Sequence, residues 1–374
     1  MLTPAAAAQL LQSPFAAEDL GLGPRPHVEI DLRDERANTR VDTGMLAAAI
    51  EQIPAVVTGV CDSSTVASEL TNACDVLVSE RHHDTLPTVA PDDGDAANLE
   101  ALIGSLTSAV ARAPMASVAL VQLLRLSHEA SIPQALAAES FAYATLQSGP
   151  EFRRWLSMQR QSDNPQTPEA GRSVVASQRV DNRLSIVLTD SARHNAFGVA
   201  MRDQLVPLLA AAAADPTITH VELRGAGPSF CAGGDLGEFG SAPDPASAHQ
   251  IRMTRSAASH LHRISNKLTV FVHGAAIGAG VELSCFANAL VASEDAIFRL
   301  PEVQMGLIPG AGGTVSITRR IGRQRCAWLA ISNHAFNSTG ALRWNLVDSL
   351  ATDSLATDYP SSGDESANVQ RDGG

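Results

Sequence analysis

In the second half of the chain, short runs of branched apolar residues alternate with stretches of helical periodicity. Arg183–Asp190 (RLSIVLTD) sets such a run between polar flanks and predicts a strand. Phe197–Ala213 carries Val199, Leu205, Leu208 and Leu209 at helical spacing, and Asp215-Pro216 ends it. Thr219–Arg224 and Leu268–Val272 predict two more strands, with one helix from about Ala246 to Ile264 between them. Gly278–Phe286 reads as a short buried helix and Ala289–Ala292 as the strand that follows. Strands alternating with helices imply βαβ units with right-handed crossovers, an α/β fold.

The first half is less regular. Ala113–Leu126 shows an apolar stripe through Val118, Leu120, Val121 and Leu124. Ser131 predicts an N-cap, with Pro133 in the first turn of a helix that runs PQALAAESFAYATLQ to Gly149. Pro150-Glu151 opens another short helix, EFRRWLSMQ, so residues 113–160 read as consecutive helices, by pattern alone a helical cap. Polar, turn-rich stretches punctuate the chain at 88–98, at 159–173 and from about Ser349 onward. The last lacks the apolar residues that offset ordering entropy and is expected to be disordered. The expected organisation is an N-terminal segment 1–35, a region 36–160, a linker 161–173, a core 174–350 and a tail 351–374.

Composition narrows this picture by exclusion. The 374 residues are 45% hydrophobic and 18% charged, a globular balance, and no apolar run reaches the roughly 18 residues of a membrane-spanning helix. Forty acidic residues against 27 basic ones give a net charge of −13, a poor match to nucleic-acid phosphates. Lys267 is the only lysine, which with the high alanine content reads as genome composition. Cys61, Cys74, Cys231, Cys285 and Cys326 are odd in number and lack CxxC spacing, so neither a disulfide framework nor a zinc knuckle is expected. MLTPAAAAQLLQSPFAAEDLG has no basic n-region, so neither a secretory signal nor a mitochondrial presequence is expected, and a cytoplasmic location is.

Three glycine-bearing segments hold the candidate chemistry: SFCAGGDLGEF (229–239), HGAAIGAGVEL (273–283) and LPEVQMGLIPGAGGT (300–314). Each flanks a predicted strand end, where open α/β sheets place ligands, and glycine there frees main-chain N–H groups to face one. Gly278-Ala-Gly280 lacks the third glycine of a dinucleotide fingerprint, since Leu283 stands in its place. The chain has no GxxxxGK[ST] phosphate loop and no GxSxG elbow. His82-His83-Asp84 and His260-Leu-His262 lack the i,i+4 spacing of a helical metal pair, and no metal site is expected. Taken singly, Glu282 fits an acid near a helix N-terminus, Glu302 a turn acid after Pro301, and Asp235 a cap for a helix starting at Leu236. Arg193 fits a surface guanidinium equally well, and Cys231 a small packing residue.

In these segments the sequence resembles the crotonase superfamily, the enoyl-CoA hydratase/isomerase fold, over about Ser173–Leu350. The likeness is strongest in Phe230–Asp235 (FCAGGD), Gly274–Leu283 and Pro301–Thr314. It implies a crotonase (ClpP-like) α/β fold of repeated ββα units, here with a helical N-terminal region. It also implies an acyl-CoA thioester substrate whose carbonyl oxygen is held by the backbone N–H groups of Gly234 and Ala279. Fixed dipoles aimed at that oxygen stabilise the enolate, and losing one such donor typically costs ~2.7–4 kcal/mol of barrier. Many relatives have glycine at the position of Ala279, a change that a backbone donor survives. The resemblance makes Glu282 the base on the water that adds to C3, and Glu302 the group that orients this water and gives a proton to C2. Positioned groups of this kind are worth about 10²–10⁴-fold each, and burial with mutual repulsion should raise one carboxyl pKa. Arg193, Ala196, Ala232 and Asp235 match positions that contact substrate or coenzyme A. No metal or redox cofactor is implied, since coenzyme A arrives with the substrate. A homo-oligomer, trimer or hexamer, is implied, with neither nucleic acid nor membrane as partner. The first activity implied is hydration of a 2-enoyl-CoA. Isomerisation, thioester hydrolysis, decarboxylation and cofactor-free oxygenation of an arylacetyl-CoA use the same scaffold and stay open, as does a catalytically silent binding subunit.

Two departures stand beside the resemblance. Relatives continue past the segment matching 338–350 into several helices, where this chain has only a polar tail. Residues 115–156 resemble those missing helices, and 54–78 aligns without gaps on 267–291, pairing Glu69 with Glu282 and Leu70 with Leu283. Thr65, Val66 and Ala67 replace Gly278, Ala279 and Gly280 there. A degenerate first copy, without an oxyanion hole of its own, is the expectation.

Overall fold

The computed structural model describes residues 1–34, 38, 40–162, 172–351 and 355, so most of the expected linker and tail lies outside the described residues. The first half opens on helices α1 (Pro4–Leu11) and α2 (Ala16–Gly21). Three parallel strands follow, β1 (His27–Asp31), β2 (Val56–Cys61) and β3 (Val76–Ser79), joined through α3 (Thr43–Gln52) and α4 (Glu69–Ala73). Every residue of β2 and β3 is buried, the signature of strands covered on both faces. Such uniform runs carry no alternation, which is why periodicity does not separate them from helix.

Four helices come next: α5 (Leu99–Arg112), α6 (Pro114–Ser127), α7 (Ile132–Gln147) and α8 (Pro150–Ser162). Helix α5 precedes the expected three and is capped by Asn98, whose side chain accepts from the Ala101 N–H at 2.9 Å. Pro114 opens α6 and turns the chain by 106°. The Gln134 side chain accepts from the Ser131 N–H at 3.2 Å and fixes the start of α7.

The second half runs β4 (Val175–Val180), β5 (Arg183–Leu188), α9 (Val199–Ala214), β6 (His220–Gly225), β7 (Ser229–Cys231), α10 (Pro245–Thr254) and α11 (Ala257–Arg263). It continues β8 (Leu268–Val272), β9 (Ala275–Ile277), α12 (Ala279–Ser284), β10 (Ala289–Ser293), β11 (Ile297–Arg299), α13 (Gly313–Ile321), α14 (Arg323–Ser332), β12 (Phe336–Asn337), α15 (Ser338–Arg343) and β13 (Ser349–Ala351). One sheet has the order β13-β10-β8-β6-β5-β4, parallel except for the β4–β5 hairpin, and a second has β12-β11-β9-β7. Each turn of the chain thus gives a strand to one sheet, a strand to the other, and then helix: β6-β7-α10, β8-β9-α12, β10-β11-α13. The helix expected from Ala246 to Ile264 is two helices. Ser256 breaks it, because its hydroxyl accepts from the Ser259 N–H at 3.1 Å and starts α11 afresh.

The order β1-β2-β3 repeats that of β6-β8-β10, all parallel. The gapless alignment sets β2 on β8 and β3 on β10, yet Thr58 pairs with Val76 while its counterpart Phe271 pairs with Val291 rather than Ala289. The likeness is one of topology, with a shifted register. One hydrophobic core runs through both halves, from Val56 in β2 to Val347 after α15. Helix α14 packs on α5, α6 and β3, and α7 packs on α10 and α13. Buried Asp75 ties the halves further: it accepts from the Val57 N–H at 2.8 Å and pairs with Arg125 at 2.5 Å and Arg323 at 3.5 Å.

Candidate active site

The glycine segments come together because two turns lie in contact. Gly233 (φ +98°) and Gly278 (φ +49°) occupy backbone conformations that L side chains rarely adopt. A Cβ on Gly280 would stand 2.4 Å from the Cys231 carbonyl oxygen, so the start of α12 sits directly on the turn after β7. Phe197 bonds to both neighbours of Gly234, donating to Gly233 O at 2.7 Å and accepting from the Asp235 N–H at 3.4 Å. The N–H of Gly234 therefore faces the other way. Ala279 opens α12, where the first N–H groups have no partner within the helix. Among the described residues neither N–H donates a hydrogen bond, and Gly234 and Ala279 line the same cavity of about 350 Å³.

Glu282 and Glu302 line it too, with only 2% and 8% of their surfaces exposed. Glu282 projects from the first turn of α12, and its Oε2 accepts from the N–H groups of Ala311 at 2.6 Å and Gly313 at 2.9 Å. Glu302 opens a 3-10 turn after β11, close enough to Gly278 that a Cβ there would meet Oε1 at 2.3 Å. Its Oε2 is buried with no hydrogen-bond partner among the described residues. Burial pushes the Glu302 carboxyl up to about 7. Burial, then repulsion from Glu302 and Glu139, holds Glu282 well above the usual carboxylate range.

Of the other residues singled out by sequence, Asp235 lines the cavity, accepts from the Gly237 N–H at 3.1 Å as a cap, and pairs with Arg193. Arg193, half-buried Ala196 and exposed Ala232 stand outside the lining. The Arg193 guanidinium is thus spoken for by a carboxylate next to the Gly234 turn. Cys231 is buried, with its thiol pushed up to about 12, which fits a packing residue.

The motifs do not reveal what α7 contributes. Leu136, Glu139, Ser140, Tyr143 and Gln147 form one face of this helix and all line the cavity. Glu139 accepts from the N–H groups of Gly312 at 2.8 Å and Thr314 at 3.0 Å, and from the Thr314 hydroxyl at 2.6 Å. Burial nonetheless lifts its carboxyl to about 7. One turn, 311–314, therefore divides its amides between two buried carboxyls from opposite halves of the chain. The available signal was an acid in the middle of an alanine-rich helix, four residues before a tyrosine.

Residues 181–359 match the family described as enoyl-CoA hydratase/isomerase. The 2,3-dehydroadipyl-CoA hydratase of Escherichia coli (strain K12) is 33% identical over 176 residues, which cover 47% of this chain and 68% of that protein. The 1,2-epoxyphenylacetyl-CoA isomerase of the same strain is 30% identical over 180 residues, again 47% of this chain and 68% of the relative. For the mevalonyl-coenzyme A hydratase sidH of Aspergillus fumigatus the share of the relative falls to 61%, at 30% identity and 44% of this chain. Among solved structures, the enoyl-CoA hydratase from Thermoplasma volcanium GSS1 is 30% identical with a TM-score of 0.44, over 48% of this chain and 72% of that one.

Proposed function

The chain belongs to the enoyl-CoA hydratase/isomerase family and has its crotonase fold, and from that premise we propose that it adds water to a 2-enoyl-CoA to form a 3-hydroxyacyl-CoA. One observation carries the reading: two unengaged main-chain N–H groups and two buried carboxyls line a single cavity of ligand size. The amides of Gly234 and Ala279 hold the thioester oxygen. Glu282 takes a proton from water as the water oxygen bonds to C3. The C2–C3 π electrons move toward the thioester, where the two donors stabilise the enolate. Glu302 then gives its proton to C2, and the net change is addition of one water.

Burial lifts both carboxyls, and their hydrogen bonds bias which of the two carries the proton. Two amides on Glu282 favour its ionised form, whereas the unpartnered oxygen of Glu302 favours the neutral acid. That is the pairing of base and acid that hydration needs. Relatives of this chain are named for hydration and for isomerisation alike, and retention of both acids favours the first. The test is loss of the conjugated thioester absorbance of crotonyl-CoA. Glu282→Gln and Glu302→Gln are each expected to lower kcat by 10²-fold or more. No turnover by the wild-type protein would leave a different reaction or a silent binding role, and full turnover in both variants would remove the two glutamates from the mechanism.

A further inference from the structure

Tyr143 lies on the cavity face of α7, in the half of the chain outside the family match. Its ring is held on two sides by contacts that fix its position. A Cβ on Gly310 would stand 2.3 Å from Tyr143 Cδ2 and 2.4 Å from Cε2, so the ring rests against bare backbone. The Arg252 guanidinium lies 4.6 Å from the ring centroid, and is itself anchored by Ser140 Oγ at 3.1 Å and Gln147 Oε1 at 3.1 Å. Gly310 immediately precedes Ala311, whose N–H holds Glu282. The ring is therefore one residue away from the base.

The hydroxyl is the unexplained part. Among the described residues it makes no hydrogen bond, although Tyr143 is half-buried and lines the cavity. With no protein partner among the described residues, the hydroxyl is left for a ligand or water in the cavity, and the packed ring cannot swing away. Burial raises its pKa, and the charges on Glu302 and Glu282 act on it in the same sense. It is a neutral donor within electrostatic reach of both acids.

We propose that the Tyr143 hydroxyl donates a hydrogen bond to the oxygen added at C3, first as the attacking water and then as the 3-hydroxyl of the product. This rests on the reading of Glu282 and Glu302 as the groups that manage that water. Water between two carboxyls has its hydrogens engaged and two lone pairs left. One must point at C3, and the phenol O–H takes the other, which fixes the direction of attack. Helix α7 then supplies a substrate-contacting catalytic residue, and the active site is complete only with the first half of the chain.

The test uses Tyr143→Phe in the full chain, which keeps the ring and its packing. Calorimetry compares two thioesters that differ only in the 3-hydroxyl, 3-hydroxybutyryl-CoA and butyryl-CoA. The ratio of their Kd values should shift about 5–10-fold against the hydroxylated ligand, and kcat for crotonyl-CoA should fall about 10-fold at nearly constant KM. A merely structural role would move both ligands together. An unchanged ratio in a variant with an unchanged Tm overturns the proposal, whatever the turnover. If the wild-type protein hydrates no enoyl-CoA, the hydration reading fails by itself, and the ratio still reports on Tyr143.

Discussion

Glu302 is the residue whose burial costs the fold stability once it ionises. Its folded carboxyl is lifted from the ordinary 4.5 to about 7 by burial. A raised folded pKa means that the neutral acid suits the fold. The stability this gives is whole below the unfolded value and is lost as pH rises through 7. Glu302→Gln escapes that loss. Its melting temperature should exceed that of the wild type at pH 8 by a margin that vanishes near pH 4.5. In free energy the margin reaches at most roughly 3 kcal/mol, the linkage of that displacement. Thermal melts across this pH range check it, and a margin independent of pH would show that the site does not resist ionisation. At this scale the meeting of Gly234, Ala279, Glu282 and Glu302 at one cavity was implied by the resemblance that the three glycine segments carry, and by no residue taken singly. Glu139 and Tyr143 were not. They sit on an alanine-rich helix whose periodicity speaks only of packing, and what gives them meaning is a turn more than 160 residues away, where the Glu139–Gly312 bond spans 173 positions.

Among the elements, the turn 311–314 does the most with the least. Alternate amides point to opposite sides, so Ala311 and Gly313 hold Glu282 while Gly312 and Thr314 hold Glu139. The negative charge of Glu139 raises the carboxyls of both Glu282 and Glu302. Glu139→Gln removes that charge, so Glu302 ionises at lower pH and the alkaline limb of the kcat profile moves to lower pH. An unmoved limb, in a variant of lower kcat, would mean that Glu139 acts through the turn alone. The strands of the large sheet were legible, since β5, β6 and β8 alternate or run apolar between polar flanks. The three-residue strands β7, β9 and β11 were not, because each is too short to show a period and lies beside glycine or a turn. They nonetheless lead directly into Gly234, Ala279 and Glu302, which line the cavity.

At the scale of the whole molecule, the two halves are joined by shared packing. The first sheet, α5, α6 and α7 share their core with α13 and α14. The Asp75–Arg125–Arg323 cluster crosses the same boundary, with the Asp75 side chain 1% exposed. Asp75→Asn would leave two largely buried guanidinium groups without a counter-charge. The expected loss is about 3–5 kcal/mol in denaturant unfolding, still as a single transition. Two separate transitions would show that the halves melt independently.

Because the Glu139 carboxylate reaches Gly312 and Thr314 across 173 and 175 positions, the cavity is assembled only when the two halves of the chain have closed on each other. Secondary structure can return early on dilution from denaturant while the enzyme stays inert. Recovered turnover is then a clock for the final docking event, and its lag behind circular dichroism measures how late in refolding the two halves of the sequence find each other.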